Sequence, residues 1–467
     1  MSAISTRGPA LPRAAVALAA GCLALSLAVA ARYGAPALAL PLAAVATIAL
    51  IQRPRVAVGL AVGVMVLVEG GGDDFLGIPA VYDPLPFGPT PAECLLAVAV
   101  LAVLIDSFSV EKPLRLPGPL SLALALVVLA AAAGAVTGHY AGVSNADLIF
   151  AARQLCWLVI VPFLVVNVVE TRSQVRGALA FGAALALTKA VVGLVGVISG
   201  VGVVVEGATI TYYEPTANWL LLLGILAVVA GFMLRARPPG WVLVSLPLLV
   251  LALTLSFRRS FWIGGALAIL LVVLLGARTP GRRIAVIAGL LLAAAVWTLS
   301  LQPLQADSPV AKRAASLEPT KVEENAQDRY RFDELRNVTA EIRRRPVTGL
   351  GLGGQWTATH PLGVEHENGR SYTHVVVFWW WMKLGILGLL AYLAVMASML
   401  AMSWQVWRRS TDPLFSAVGL AVLCGLLALA VVETVGSFTG VDPRFTALFG
   451  AVGGLIAVMR RLALRPA

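Results

Sequence analysis

Two neighbouring arginines, Arg258 and Arg259, join two apolar runs with almost no loop between them. A cation at a membrane surface is costly unless its side chain reaches the headgroup region or meets an anion. Arginine suits phosphate binding, because its planar guanidinium stays charged and can donate hydrogen bonds to two phosphate oxygens at once. The pair therefore has two interpretations: side chains that reach lipid headgroups, or a site for a lipid-linked phosphate.

A second set of cations lies in a long polar segment, 301–372, between apolar runs. Arg329, Arg331 and Arg336 fall close together there, and Arg329 and Arg336 are seven residues apart, which places them on one face of a helix. A solvated helix face and an anion site both agree with this pattern. The segment is predicted to form a helix near 323–345, because its apolar residues recur at helical spacing: Phe332, Leu335, Val338 and Ile342.

His374 stands at the start of the apolar run that follows the polar segment. An imidazole at a membrane surface can act as a general base near neutral pH, although a structural histidine at a helix start is the alternative. Residues 349–354 read Gly-Leu-Gly-Leu-Gly-Gly, and backbone amides of such a turn can face phosphate. Gly351 and Gly353 are therefore candidates for phosphate contacts, with a turn that binds nothing as the alternative.

Metal ligands are sparse in this sequence. Asp73 and Asp74 form an acidic pair, for which an ordinary loop is the favoured interpretation, and His360 and His366 have no ligand-like neighbours. The four cysteines lie in apolar segments and match no zinc site or disulfide framework. We predict neither a metal nor a cofactor.

The elements that must position these residues are membrane helices. The chain has 467 residues, of which 59% are hydrophobic and 13% charged. A bilayer core about 30 Å thick needs about 20 apolar residues per helix, and such runs recur continuously, without the alternation of a β-barrel. We predict an all-α, polytopic helical membrane protein with about 12–14 transmembrane helices and one large extracytoplasmic loop. The candidate spans are 14–31, 36–51, 56–69, 90–107, 117–137, 148–168, 177–200, 216–234, 239–256, 261–276, 283–300, 373–403, 413–436 and 443–460.

These spans predict one membrane domain with helices 1–11 in residues 1–300, the extracytoplasmic loop at 301–372 and the C-terminal helices in 373–467. Arg and Lys accumulate in alternate connections, which predicts both termini in the cytoplasm and the polar loop outside. The first apolar run is interpreted as an uncleaved helix rather than a signal peptide. The net charge of +11 has the same topological explanation, so we predict no nucleic-acid partner.

Three stretches, in order over 251–390, resemble the O-antigen ligase/O-antigen polymerase superfamily of bacterial membrane glycosyltransferases. Residues 255–264 look like its Ser-Arg-Gly-Ala-Trp-Leu-Gly stretch, with Arg259 on the arginine. Residues 331–351 resemble its Arg-helix-His-Pro-Leu-Leu-Gly-Val-Gly segment, with Arg331 on that arginine. His374 with 384–389 is similar to the pattern His-Asn-x-Tyr-Leu followed by Gly-x-x-Gly.

The resemblance implies a GT-C-like fold in the bacterial cytoplasmic (inner) membrane and an active site on its outer face. It implies a glycan donor on a polyprenyl diphosphate such as undecaprenyl diphosphate, and a glycan, lipid or polymer acceptor. Arg259 and Arg331 would clamp the diphosphate, assisted by Arg258 or Arg336, while His374 would take the proton from the acceptor hydroxyl. The implied reaction is an inverting, metal-independent glycosyl transfer in polysaccharide biosynthesis for the cell envelope.

Two other functional classes remain open. A transporter or lipid-linked glycan flippase also explains many spans with basic residues outside, and the charges of Lys383 and Glu433 inside apolar runs favour it. A non-catalytic partner in envelope synthesis is the other class. Within the superfamily, the sequence leaves open whether the chain is a ligase or a polymerase.

Overall fold

The computed structural model describes residues 39–70, 76–85, 88–205, 207–236, 238–276, 326–360 and 369–464, together with Gly281, Ile284 and Arg313. The α-helices in this part are α1 (Ala39–Ile51), α2 (Pro54–Leu67), α3 (Pro91–Ser109), α4 (Leu120–Tyr140), α5 (Asn145–Val168), α6 (Arg172–Ser199), α7 (Pro215–Leu234), α8 (Gly240–Thr254), α9 (Arg259–Gly276), α10 (Ala326–Arg344), α11 (Val376–Arg409), α12 (Pro413–Val432) and α13 (Pro443–Ala463). A small antiparallel hairpin, β1 (Val204–Val205) and β2 (Ala208–Thr209), lies between α6 and α7.

The described part of the chain contains nine helices that are long and apolar enough to cross a membrane: α3, α4, α5, α6, α7, α9, α11, α12 and α13. The residues Val45–Ile51 and helix α2 form a pair bent by 115°, which makes a tenth span if it is counted as one. Helix α8 has 15 residues and falls short of that length. The predicted all-α, polytopic membrane fold is therefore confirmed. The predicted spans 14–31 and 283–300 lie outside the described residues.

The chain forms two compact units. The first comprises Met1–Ala61 and Glu93–Leu114, of which the structure describes α1, the first half of α2 and most of α3. The second comprises Val62–Ala92 and Arg115–Ala467. In the second unit α13 packs along α5, α11 along α4, and α12 lies against α7, α9 and α11. Every described candidate residue belongs to this second unit.

Helix α11 is broken at Gly385, whose backbone has φ 63° and ψ −158°. The preceding loop fills the break, because the Leu350 amide donates to the Met382 carbonyl at 2.7 Å and the Ile386 amide donates to the Val347 carbonyl at 3.2 Å. A Cβ on Gly385 would lie 1.9 Å from that Val347 oxygen. The break thus keeps its backbone groups paired inside the protein, as an apolar environment requires.

The same loop contacts both α11 and helix α4 through its backbone. The Gly351 amide donates to the Lys383 carbonyl at 3.0 Å, and the Leu352 amide donates to the Gly134 carbonyl at 2.9 Å. A Cβ on Gly351 would lie 2.2 Å from the Gly138 nitrogen. We call Gly138, Gly349, Gly351 and Gly385 the glycine seam, since each lies where backbones approach too closely for a side chain.

Helix α10 occupies Ala326–Arg344, within the segment for which a helix is predicted. Its buried face is largely polar: Tyr330, Glu334, Asn337, Val338, Glu341 and Ile342 are all less than a tenth exposed. Phe332, one of the apolar residues whose spacing predicts the helix, is instead 56% exposed. The helix therefore presents a row of buried polar side chains to the residues that precede α11.

Candidate active site

His374 forms the centre of the candidate site, two residues before α11 begins. Its ring Nδ1 lies 2.9 Å from Glu334 Oε2, and its backbone amide donates to the same oxygen at 3.0 Å. Both side chains are largely removed from solvent, with 12% and 2% of their surfaces exposed. The double contact fixes the position and the ring orientation of His374, and it commits Nδ1 to the carboxylate.

Two tyrosines flank the imidazole. The rings of Tyr330 and Tyr372 meet it edge-on, with centroids 6.1 and 5.1 Å away. The Tyr372 hydroxyl accepts from the Ser437 amide at 3.2 Å. Burial raises the pKa of the Tyr372 phenol to about 12, so this ring remains neutral at physiological pH.

The polar face of α10 fixes the segment that runs alongside His374. Asn337 Oδ1 accepts from the amides of Thr359 at 2.8 Å and His360 at 2.7 Å, and Glu341 Oε1 accepts from the Thr357 amide at 3.4 Å. Glu334, Asn337 and Glu341 therefore act as three successive anchors along one helix. His360, considered as a metal ligand from the sequence, lies at one of these anchors.

Arg258 lies in the tight turn between α8 and α9. The turn depends on Phe257, a buried residue with a φ of 55°, in the left-handed region that non-glycine residues rarely adopt. Arg258 Nε donates to the Tyr213 carbonyl, and its Cζ lies 3.8 Å from the centre of the Tyr213 ring. Burial lowers the pKa of the Arg258 guanidinium, yet an arginine remains charged at neutral pH. Arg259 is the half-buried first residue of α9.

Arg258 and His374 share one electrostatic neighbourhood, although they lie on different elements. The charges of Arg258, Glu334 and Arg331 all act on the Tyr372 phenol, and Arg331 also acts on Arg258. We call Arg258, Arg331, Glu334, Tyr372 and His374 the histidine corner. It combines two cations with a histidine held by a carboxylate.

Arg313 is a further cation at the turn between α8 and α9, and it is not among the residues predicted from the sequence. It is buried, and its Nε donates to the Phe257 carbonyl at 3.0 Å. Arg313 thus contacts the turn that carries Arg258. In the sequence nothing distinguishes Arg313 from the other arginines of that segment.

Three of the predicted phosphate contacts, Arg336, Gly351 and Gly353, are not part of the histidine corner, and the side chain of a fourth is not described. Arg336 has 70% of its side chain exposed and pairs with Asp333 at 3.4 Å. The Gly351 amide is occupied by the Lys383 carbonyl, and a Cβ on Gly353 would meet Val143 at 2.6 Å. The side chain of Arg329 lies outside the described residues. The structure thus assigns the two glycines to close packing.

Lys383 and Glu433, the charges that favour a transporter, both have packing partners. Lys383 Nζ donates to the Gly354 carbonyl. Glu433 accepts from the Tyr392 hydroxyl at 2.8 Å and from the Thr439 amide at 2.7 Å. Each side chain therefore satisfies backbone or hydroxyl groups where helix ends and loops meet.

A group of buried charges, which we call the charge cluster, was also missed by the sequence analysis. Arg444 Nη1 lies 2.6 Å from Glu69, and Lys189 contacts the same carboxylate. Glu214 lies 3.6 Å from Lys189 and 3.8 Å from Arg444, and Asp442 lies 3.7 Å from Arg444. The only sequence signal for this cluster is a lone lysine in the apolar run of α6.

Across the described residues, no group of three His, Cys, Asp or Glu side chains is arranged to hold a metal ion. Asp73, Asp74 and His366 lie outside those residues. Cys94 and Cys424 are free thiols.

Residues 243–393 match the family model described as O-antigen ligase. The chain contains an O-antigen ligase domain. The match runs from α8 into α11 and includes Arg258, Arg259, Arg331, Glu334 and His374. The predicted superfamily is thereby confirmed, together with a multi-pass membrane protein of glycosyltransferase type. No curated protein matches this chain.

Proposed function

We propose that this protein moves a glycan from a polyprenyl diphosphate carrier to an acceptor hydroxyl at the outer face of the bacterial cytoplasmic membrane. The observation that carries the proposal is the His374–Glu334 pair, at 2.9 Å, within the O-antigen ligase domain. The charges of Arg258 and Arg331 act on Tyr372, whose ring contacts His374. A base for a hydroxyl and cations for a phosphate leaving group are the two requirements of such a transfer.

In the proposed reaction His374 is the general base. Its Nδ1 bonds to Glu334, so Nε2 takes the proton of the acceptor hydroxyl as the oxygen attacks the anomeric carbon of the donor. Glu334 stabilises the imidazolium that forms and fixes its orientation, as a carboxylate does behind other catalytic histidines. General-base catalysis of this kind contributes about 10²- to 10⁴-fold in rate.

The bond from the anomeric carbon to the diphosphate oxygen breaks as the new glycosidic bond forms. The bonding electrons leave with the polyprenyl diphosphate, and Arg259 and Arg331 stabilise the negative charge that grows there, with Arg258 assisting. One displacement inverts the anomeric centre. Because fixed guanidinium groups supply the positive charge, we propose that the transfer requires no metal and persists in a chelator.

The charge pattern supports an orientation with both termini in the cytoplasm and the histidine corner outside. Arg408 and Arg409 end α11, and Arg460 and Arg461 lie in the last turn of α13. Cytoplasmic connections collect such residues. In a variant whose four native cysteines are replaced by serine, a single cysteine introduced at exposed Arg343 of α10 should react with a membrane-impermeant thiol reagent added to intact spheroplasts. A cysteine introduced at exposed Arg408 should remain unlabelled there, and the opposite pattern would contradict the orientation.

Purified protein in lipid, with a polyprenyl diphosphate oligosaccharide as its only glycan and chelator present, tests the function directly. Glycan length and released polyprenyl diphosphate are followed for the wild type and for His374→Ala. A ladder of longer lipid-linked glycans, absent in the variant, indicates a polymerase. Transfer that needs a second acceptor indicates a ligase. No transfer to any acceptor, or equal turnover by the variant, contradicts the proposal and favours the transporter alternative.

A further inference from the structure

Tyr213 holds Arg258 in two ways. Its carbonyl accepts from Arg258 Nε, and its ring lies 3.8 Å from Cζ of the guanidinium. An aromatic face attracts a cation stacked on it, and the carbonyl fixes the rotation of the guanidinium within its plane. With Nε occupied, recognition of an anion falls to Nη1 and Nη2, the edge that bonds two phosphate oxygens.

Tyr213 is itself fixed by its neighbours on both sides in the sequence. On one side, the Thr211 amide donates to the Leu255 carbonyl at 3.0 Å, and the Thr211 hydroxyl donates to the Ala252 carbonyl at 2.7 Å. On the other side, Asn218 Nδ2 donates to the Glu214 carbonyl at 2.6 Å. The chain before α7 is therefore hydrogen-bonded to the end of α8, next to the turn that carries Arg258.

Glu214 connects Tyr213 to the charge cluster. Its carboxylate caps α7 by accepting from the amides of Thr216 at 2.7 Å and Ala217 at 2.9 Å. Burial acts to raise the pKa of this carboxyl, but Arg444, Lys189 and the two backbone hydrogen bonds together hold the pKa below its usual value. Glu214 is therefore an anion at neutral pH, and its charge also acts on Arg258.

The charge cluster joins the end of α2 to α6, α7 and α13. Glu69 and Lys189 have fully buried side chains, and buried ion pairs stabilise a fold poorly compared with apolar residues of the same size. Through Lys189 and Arg444 the charge cluster contacts Glu214, the residue that follows Tyr213 in the chain.

We propose that Tyr213 is a positioning residue that orients Arg258 for a diphosphate, and that the charge cluster holds Tyr213 in place through Glu214. This inference rests on the proposed function, because it assigns Arg258 a phosphate ligand. The inference also predicts that the contacts of Tyr213 with Arg258 favour binding of a diphosphate over a monophosphate. Only a correctly oriented guanidinium can bond to both phosphate groups.

The test measures binding of farnesyl diphosphate and farnesyl monophosphate to the full-length protein in lipid nanodiscs. Tyr213→Leu removes the ring and keeps the carbonyl, and Tyr213→Phe keeps both. We expect Tyr213→Leu to weaken farnesyl diphosphate roughly 3- to 30-fold, as loss of a cation–π contact does, and to reduce the preference over the monophosphate. Tyr213→Phe should remain close to the wild type. Tyr140→Leu, at an exposed tyrosine that ends α4, controls for the loss of a surface ring.

The decisive comparison repeats Tyr213→Leu in an Arg258→Ala background. If Tyr213 acts through Arg258, the second substitution adds no further loss of binding. Equal losses in both backgrounds would overturn the inference, as would Tyr213→Phe binding as weakly as Tyr213→Leu, or wild-type protein binding both farnesyl phosphates equally.

Glu214→Gln extends the test to the charge cluster. It should weaken farnesyl diphosphate in the wild-type background and leave binding unchanged when Arg258 is already alanine. A fall in melting temperature with no change in binding would show that the charge cluster does not position Tyr213. These measurements detect binding and require no turnover. If the expected coupling is found in a protein that transfers no glycan, the proposed function is contradicted and the anion site is retained.

Discussion

The histidine corner lies within the O-antigen ligase domain, as does the glycine seam apart from Gly138 of α4, but the two depend on different kinds of contact. The histidine corner uses side chains: a carboxylate holds His374, and the charges of Arg258 and Arg331 act on Tyr372. The glycine seam uses main chain, because a loop pairs its amides and carbonyls with the broken helix α11. A substitution in the first should leave a folded protein with altered chemistry, whereas a substitution in the second should alter the fold itself.

Gly351→Ala should have the largest effect and should act on folding. The new Cβ would lie 2.2 Å from the Gly138 nitrogen, and the backbone at Gly351 has a φ of 84°. Backbone strain alone costs about 1–3 kcal/mol, and the collision with another backbone adds to it. We expect little folded protein in the membrane, measured as detergent-extracted monodisperse yield and melting temperature. Gly177→Ala in α6, where nothing lies within 4 Å of the added Cβ, should be well tolerated; equal behaviour of both variants would contradict the packing role.

The glycine seam could not be predicted from the sequence, whereas the membrane helices could. Helices could be predicted because apolar runs are local and long, and nearly all the described spans lie where the hydropathy places them. The packing of Gly351 and Gly353 could not be predicted, because a glycine turn has no side chain to indicate its neighbours. Those neighbours are the break at Gly385, more than thirty residues later in the chain, and Gly138 of α4, more than two hundred residues earlier, so the contacts depend on tertiary structure.

Glu334→Gln should give the next largest effect, and it should act on the chemistry. The glutamine can still bond to His374, but it cannot stabilise an imidazolium as a carboxylate does. Hydrogen bonds to charged groups contribute about 1.5–3 kcal/mol, which is roughly a 10- to 100-fold loss of kcat in the transfer assay. Glu341→Gln is the matched control, since Glu341 is a buried glutamate of the same helix that contacts Thr357 rather than His374. Equal losses for both variants would assign Glu334 to packing of α10.

Glu334 was missed by the sequence analysis for a physical reason. The helix could be found from Phe332, Leu335, Val338 and Ile342, and that apolar spacing suggests an apolar packing face. The face that packs is mostly polar, while Phe332 is exposed. The usable signal was a set of polar residues, Tyr330, Glu334, Asn337 and Glu341, which recur at helical spacing. His374 itself could be found, because an imidazole at the start of an apolar run is conspicuous.

Arg331→Lys should have a moderate effect on the same chemistry. Lysine keeps the positive charge and loses the planar fork, so long-range attraction of the diphosphate survives while the paired hydrogen bonds do not. We expect about a tenfold loss in kcat/KM, equivalent to about 1.4 kcal/mol, with an unchanged melting temperature. Arg343→Lys, at an exposed position of α10, should retain full activity. Wild-type activity of Arg331→Lys would show that only charge is needed at this position.

Arg336→Ala should have the smallest effect, and it measures how far the histidine corner extends along α10. The sequence suggests Arg336 as an assistant to the phosphate clamp, but most of its side chain is exposed and pairs with Asp333. Exposed ion pairs of this kind contribute about 0–1 kcal/mol, so we expect Arg336→Ala to change kcat/KM by less than about threefold. Arg331→Ala, measured in the same assay, should cause a large loss. Comparable losses for the two alanine variants would show that the donor reaches the exposed face of α10. The part of α10 that binds the donor would then include Arg336, about one helical turn beyond Arg331.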